Sequence, residues 1–184
     1  GFSPTAFDAE RLDNLLPPGR FYDAVVMNPP FSATGGRVNG HSAAFGARHV
    51  EQALLRLGPG GRLVAIVGRG MALDRPKFRA WWAKIDGRYR VRANLGIDGG
   101  VYTKFGTSFD HQIIVLDNDG PTGGESDIVM GTGLSLHQAW DRLKEIAEED
   151  VRGRLRRLNP DPACGSDAGD GPDGASPKGQ PDSD

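Results

Sequence analysis

Residues 21–32 read FYDAVVMNPPFS, and the reading of this stretch decides the fold. Asp23 to Met27, DAVVM, is a short apolar run rich in valine and bounded by turn signals, the pattern of a strand buried in a sheet. Two consecutive prolines end it abruptly, because each ring fixes its own backbone angle and withholds the amide hydrogen that a strand ladder needs. The chain leaves its sheet on Asn28-Pro29-Pro30-Phe31. One tight turn thus holds an amide, two rigid rings and an aromatic.

Working outward, AERLDNLLPP after Asp8 predicts a short amphipathic helix stopped by Pro17 and Pro18. On the other side a Gly/Ser/Asn-rich loop, SATGGRVNGHS, leads into AAFGARHVEQALLRL (43–57), whose apolar residues fall at helical spacing and which GPGG closes. RLVAIVG (62–68) reads as a second apolar strand, and RPKFRAWWAKI (75–85) as a helix with Pro76 near its start. YRVRANLGI (89–97) predicts a third strand. After the glycine-broken loop DGGVYTKFGT, SFDHQIIVLD (108–117) is the last clear one.

Strands alternating with helices predict an α/β sheet with parallel neighbours. The last strand arrives with no intervening helix, so it is expected antiparallel to its partner. LHQAWDRLKEIAEED (136–150) predicts a further helix. From about 159 the chain is rich in Gly, Pro, Asp and Ser and cannot bury a core, so disorder is expected there. The domain reading is a sheet domain over 1–120, a helical extension over 121–158 and an acidic tail over 159–184.

The formal charge of −2 conceals an asymmetry. From Asn159 onward there are six aspartates and one lysine, whereas 69–104 holds nine basic residues against Asp74, Asp86 and Asp98. A locally basic stretch favours phosphate-bearing partners, although a solvated helix face has the same composition. Trp81 and Trp82 lie within it, and at least one is expected in the core. The only cysteine, Cys164, stands in the tail, so a disulfide or a cysteine-based metal site within the chain is excluded. His41, His49, His111 and His137 show no metal-ligand spacing, and no metal is expected. No apolar run is long enough to span a membrane and no signal peptide opens the chain, so a cytoplasmic setting is expected. The first residue is Gly1 rather than methionine, and a fragment or processed piece is expected.

In open α/β sheets ligands sit beyond the carboxyl ends of the strands, which is where the NPPF turn falls. Consecutive prolines give a rigid loop whose carbonyls point where they are placed. Asn28 adds a side-chain oxygen acceptor and Phe31 a flat apolar face. Together they can hold a planar group bearing an NH₂, with acceptors on its hydrogens and the aromatic on its plane. The exocyclic nitrogen of adenine is such a group, and a poor nucleophile because its lone pair is delocalised. Two acceptors favour a pyramidal nitrogen and take up the positive charge that develops as a methyl group arrives. A base within a duplex must first be flipped out, with Phe31 replacing part of its lost stacking. Without further context, Asn-Pro-Pro can also be a turn that merely ends a strand.

The context narrows the choice. Asn28-Pro29-Pro30-Phe31 resembles motif IV of amino-methyltransferases that use S-adenosylmethionine, particularly the N6-adenine DNA methylases. The stretch Leu57-Gly58-Pro59-Gly60-Gly61-Arg62-Leu63-Val64-Ala65-Ile66-Val67 and then GIDGGVYTKFGTSFDHQIIVLD follow in that family's order. The run from 21 to 117 is also similar to the methylase segment of bacterial strawberry-notch-type helicase proteins. The resemblance implies the distal, carboxyl-side half of a Rossmann-like methyltransferase sheet. It implies that Asn28 and the Pro29 carbonyl orient and activate the amine, that Pro30 stiffens the loop and that Phe31 stacks on the base. Tyr102, Phe105 and Thr107 are then expected on the pocket wall, with Arg69, Arg75 and Lys104 meeting the DNA backbone.

The family's cofactor, S-adenosyl-L-methionine, is bound mainly by strands that precede NPPF, the first ending in a glycine-rich turn. Only 27 residues stand before Asn28, and GFSPT has a single glycine. Most of the cofactor site is therefore expected upstream of Gly1, and no cofactor-binding residue is assigned. The NPPF strand is expected at an unpaired sheet edge that an upstream segment or a partner chain covers. The piece alone is expected to be inactive. Alternative readings are methylation of guanine N2 in ribosomal RNA or of a protein glutamine, and a non-catalytic nucleic-acid-binding remnant. Gly35, Gly36 and Gly40 are expected to give the loop after NPPF the mobility to close over a base.

Overall fold

The computed structural model describes Ala6 and residues 8–30, 42–106, 108–124 and 127–158. Two compact units divide the chain, Gly1–Glu148 and Glu149–Asp184. In the second, only helix is described, as far as Leu158. The readings for Phe31, the 32–41 loop, Thr107 and the tail from 159 lie outside the described residues, as does the side chain of Phe105. No helix among the described residues is long and apolar enough to cross a membrane.

The first unit is built on a five-stranded sheet. Its strands are β1 (Tyr22–Met27), β2 (Leu57–Gly68), β3 (Arg90–Ile97), β4 (His111–Asp117) and β5 (Val129–Leu134), in the order β1-β2-β4-β3-β5. β1 pairs parallel with β2, and β3 parallel with β5. β4 pairs antiparallel with both β2 and β3. The fold is therefore mixed α/β, with the antiparallel strand that was expected. It lies between β2 and β3 and so has two partners. A correction concerns the end of the sheet: the sequence reading stopped at 117, but β5, within the stretch read as a helical extension, forms an edge.

Alternation along β2 shows why the sheet is two-faced. Leu63, Ala65 and Val67 are buried on one face, while Arg62, Val64 and Ile66 are half-buried on the other. The first face is covered by α2 (Ser42–Leu54) and α3 (Arg79–Asp86). Val50, Ala53, Leu54, Trp82 and Ile85 from these helices form one apolar cluster with Leu63, Ile114 and Leu116. The second face carries Ala93, Leu95, Ile97 and Val115, packed against Ala139 and Ile146 of α4 (Leu136–Leu158). Full burial of each Val, Leu or Ile among these contributes about 1.5–3 kcal/mol.

The helix starts follow local chemistry. Ser135 and Gln138 form a reciprocal capping box: the Gln138 amide donates to Ser135 Oγ and the Ser135 amide to Gln138 Oε1. Pro76 opens the short turn Pro76–Phe78 ahead of α3, a position where its missing amide hydrogen costs little. Trp82, 3% exposed, donates from Nε1 to the Met71 carbonyl at 2.9 Å. Trp81, half-buried, donates to Glu51 Oε1 at 2.8 Å. The tryptophan pair thus serves packing, with Trp82 in the core. At the other end of the chain, the short helix α1 (Leu12–Leu15) is tied to α2 through the Asp13 amide on Gln52 Oε1 and the Arg56 guanidinium on the Pro17 carbonyl.

Candidate functional site

β1, β2, β3 and β5 all run in one direction, so their carboxyl ends share an edge of the sheet with the start of β4. Three candidate segments gather there. They are the turn after β1 (Asn28 to Pro30), the turn Arg69–Met71 after β2 and the turn Gly99–Phe105 after β3. This is the end at which open α/β sheets bind ligands.

Asn28 is exposed, Pro29 buried and Pro30 exposed. Burial of the Pro29 ring anchors the turn, and Asn28 beside it is exposed. The turn is seated on α2: a Cβ at Gly46 would lie 4.0 Å from the Pro30 carbonyl oxygen and 3.4 Å from Met71 Sδ. The NPP turn and the Arg69–Met71 turn thus both lie beside the same stretch of helix, at ordinary contact distance.

The Gly99–Phe105 turn is capped by Asp98, whose Oδ1 accepts from the Gly100 amide at 2.8 Å. It is closed by Gly106 at φ +81°, a left-handed conformation that favours glycine. Asp98 is thus a capping residue, as its place in the Asp-Gly-Gly turn predicts. Tyr102 is half-buried, its ring edge-on to His111 with centroids 4.8 Å apart and planes at 64°. His111, buried, has Nδ1 3.0 Å from the Phe109 carbonyl oxygen, to which a proton on Nδ1 donates. Lys104 is exposed in the same turn, and Arg75 is exposed beside Asp74 at 4.0 Å.

Arg69 is not solely turned outward. Its Nη1 is 2.6 Å from Asp110 Oδ2, and Asp110 Oδ1 accepts from the Gly99 amide at 2.9 Å. These contacts, the backbone hydrogen bond first and the Arg69 hydrogen bond second, hold the Asp110 carboxyl below its ordinary value of 3.8. The sequence reading brought Asn28, Pro29, Pro30, Tyr102, Arg69 and Lys104 to the same end of the sheet. It missed Asp110 and His111, which sit two and three residues into the last strand segment and looked like ordinary strand residues.

No family model matches the chain, and no curated relative matches it. Among solved structures, a type I restriction–modification assembly is 21% identical, covering 60% of this chain and 23% of its own, with a TM-score of 0.47. A modification subunit of a putative type I restriction enzyme from Vibrio vulnificus is 15% identical, covering 62% and 26%, with a TM-score of 0.47. A putative class I S-adenosylmethionine-dependent methyltransferase from Listeria monocytogenes is 17% identical, covering 67% and 40%, also with a TM-score of 0.47. The chain thus spans less than half the length of each of these structures.

Among the described residues no group of three or more His, Cys, Asp or Glu could hold a metal ion. Glycines follow β3, in Asp98-Gly99-Gly100 at the head of the turn Gly99–Phe105, and lie in β5, at Gly131 and Gly133 ahead of α4.

Proposed function

We propose that this chain supplies the target-base half of an S-adenosylmethionine-dependent methyltransferase acting on the N6 amine of adenine in DNA. In this reading most of the cofactor site lies upstream of Gly1, and the chain alone is inactive. The observation that carries the reading is the NPP turn. It leaves a parallel strand at the ligand end of the sheet with Asn28 exposed on a buried Pro29.

Asn28 Oδ1 and the Pro29 carbonyl accept the two amine hydrogens, which localises the nitrogen lone pair and stabilises the charge formed as the methyl group arrives. Phe31 stacks on the base, and Pro30 keeps the acceptors in place. Tyr102, Phe105 and Thr107 form the wall of the pocket. Arg75 and Lys104 meet the DNA backbone, and Arg69 does so with the part of its guanidinium that Asp110 leaves available. An upstream segment or a partner chain covers the free edge of β1.

The test is Asn28→Ala in a polypeptide extended upstream in the same reading frame. Loss of one preorganised contact to the reacting group costs about 10²–10³ in turnover. Formation of N6-methyladenine, read by mass spectrometry of digested DNA, is expected to fall by that factor with DNA affinity little changed. Turnover that survives the substitution refutes the role of Asn28. No transfer by the extended, unsubstituted protein leaves a nucleic-acid-binding remnant as the better reading.

A further inference from the structure

Asp110 touches two separate segments of the candidate site with its two oxygens. Oδ2 takes Arg69 Nη1 at 2.6 Å, from the turn after β2, and Oδ1 takes the Gly99 amide at 2.9 Å, from the turn after β3. β2 and β3 are not neighbours in the sheet, since β4 separates them. His111 at the head of β4 pairs with Gly68 on one side and Ile97 on the other, so the sheet brings the starts of both turns beside Asp110, and beyond those pairs the Asp110 side chain links them.

Each arm reaches further. The Arg69–Met71 turn places Met71 Sδ 3.4 Å from where a Gly46 Cβ would stand, and the Pro30 carbonyl oxygen is 4.0 Å from that point. The Gly99 amide opens the turn that carries Tyr102, which rests on His111, the residue directly after Asp110. Asp110 thus joins the Arg69–Met71 turn to the turn that carries Tyr102, while the Arg69–Met71 and NPP turns both lie beside Gly46.

The pair is exposed, with Arg69 at 43% and Asp110 at 39% of side-chain area. An ion pair this accessible contributes little to global stability. Its value is geometric: a carboxylate with both oxygens engaged is held in place, and it ties together two turns just past the last sheet pairs.

We infer that Asp110 is a positioning residue of the base pocket, a two-armed staple that holds the turn carrying Tyr102 to the Arg69–Met71 turn. The inference rests on the base-binding reading above. Asp110 itself does not touch the base.

The experiment uses the chain as it stands, with Asp110→Ala, Asp110→Asn and Asn28→Ala as variants. Backbone hydrogen exchange is measured, together with the fluorescence of a single-stranded oligonucleotide in which 2-aminopurine stands directly beside a target adenine, so that its signal reports unstacking of that adenine. Asp110→Ala is expected to speed exchange at Gly99–Phe105 and Arg69–Met71 by roughly three- to tenfold. The amides of β3 and β4 stay unchanged, and the 2-aminopurine response weakens by a similar factor. Asp110→Asn keeps an acceptor for the Gly99 amide, so exchange at Gly99–Phe105 returns toward the native rate while Arg69–Met71 stays fast.

Unchanged exchange in Asp110→Ala overturns the staple, whatever the fate of the base-binding reading. Exchange that changes while the fluorescence response holds, with Asn28→Ala abolishing that response, overturns the positioning role alone. A response that neither Asp110→Ala nor Asn28→Ala alters overturns the base-binding reading, and the positioning role with it.

Discussion

Gly99→Ala puts a methyl group where two backbone segments meet. A Cβ at Gly99 would stand 2.1 Å from the Ser108 carbonyl oxygen, 2.5 Å from its carbon and 2.7 Å from the Phe109 carbonyl carbon. Real Cβ atoms essentially never come within 3.0 Å of another heavy atom, so the 2.1 Å gap must open by about 0.9 Å. No flexible side chain can yield, because all three obstructing atoms are backbone. If the displacement falls along the Gly99–Asp110 hydrogen bond, now 2.9 Å, that bond stretches to about 3.8 Å, beyond hydrogen-bonding range.

Forcing a methyl group into a packed site costs about 1–3 kcal/mol. In a folded unit of this size each kcal/mol lowers Tm by about 2–4 °C. Thermal unfolding followed by circular dichroism is therefore expected to show a fall of roughly 3–10 °C. Gly87→Ala is the control. Gly87 has a helical φ of −67°, and a Cβ there meets the Ala83 carbonyl oxygen at 3.4 Å. Its expected effect is within about 0.5 kcal/mol. A Gly99→Ala protein that melts within 1 °C of the parent, roughly the error of the measurement, refutes the close approach of the two turns.

Three further outcomes are expected. Trp82→Phe removes the donor to the buried Met71 carbonyl and is expected to cost about 1–3 kcal/mol in urea denaturation; Trp81→Phe, at the half-buried Glu51 contact, is expected to cost less. Val26→Lys, at a position 84% exposed on the edge strand β1, is expected to change stability by no more than about 0.5 kcal/mol and to reduce light scattering from self-association; a large loss of stability shows that the edge is covered in solution. The third concerns pH. Asp110 has a depressed folded-state pKa, caused first by the Gly99 amide and then by Arg69. Its contribution is complete above the ordinary value of 3.8 and lost as pH falls through the lower folded value. Exchange protection at Gly99, corrected for intrinsic rate, is thus expected to stay level from neutral pH down to the carboxylate range and to drop only below it.

The parts of the fold that were legible are those where one physical signal dominates. DAVVM, RLVAIVG and HQIIVLD are dense in β-branched residues, and they lie within β1, β2 and β4. The helix spacing of 43–57 gave α2, although the helix ends at Leu54. Leu55 and Arg56 form a turn, and Leu57 with GPGG belongs instead to β2, which carries an irregular register opposite Tyr22 and Ala24, with Gly60 at φ +73°. A bulge of this kind has the same composition as a helix stop. β5 was missed because VMGTGL has two glycines in six residues and no alternation, so pairing with β3 decides its form rather than propensity. The site divides in the same way. Asn28, Pro29 and Pro30 announce themselves by rigidity and a side-chain amide, whereas Asp110 acquires its role only through Arg69, 41 residues earlier, and Gly99, 11 residues earlier.

The insertion of β4 between β2 and β3 also dictates an order of events during synthesis. β3, with seven of its eight residues buried in the finished sheet, is made before the strand that joins it to β2. At about 5–20 residues per second, the 20 residues from Asp98 to Asp117 take roughly 1–4 s to follow. Collapse of a chain of about this size takes up to about 10–100 μs, so a nascent chain has ample time to dock β3 directly and wrongly against the free side of β2. Both strands run the same way in the product, and such a pairing looks locally native. The wedge strand must then displace it. Ribosome pausing between Ile97 and Asp117 is a point at which the yield of folded protein can be won or lost.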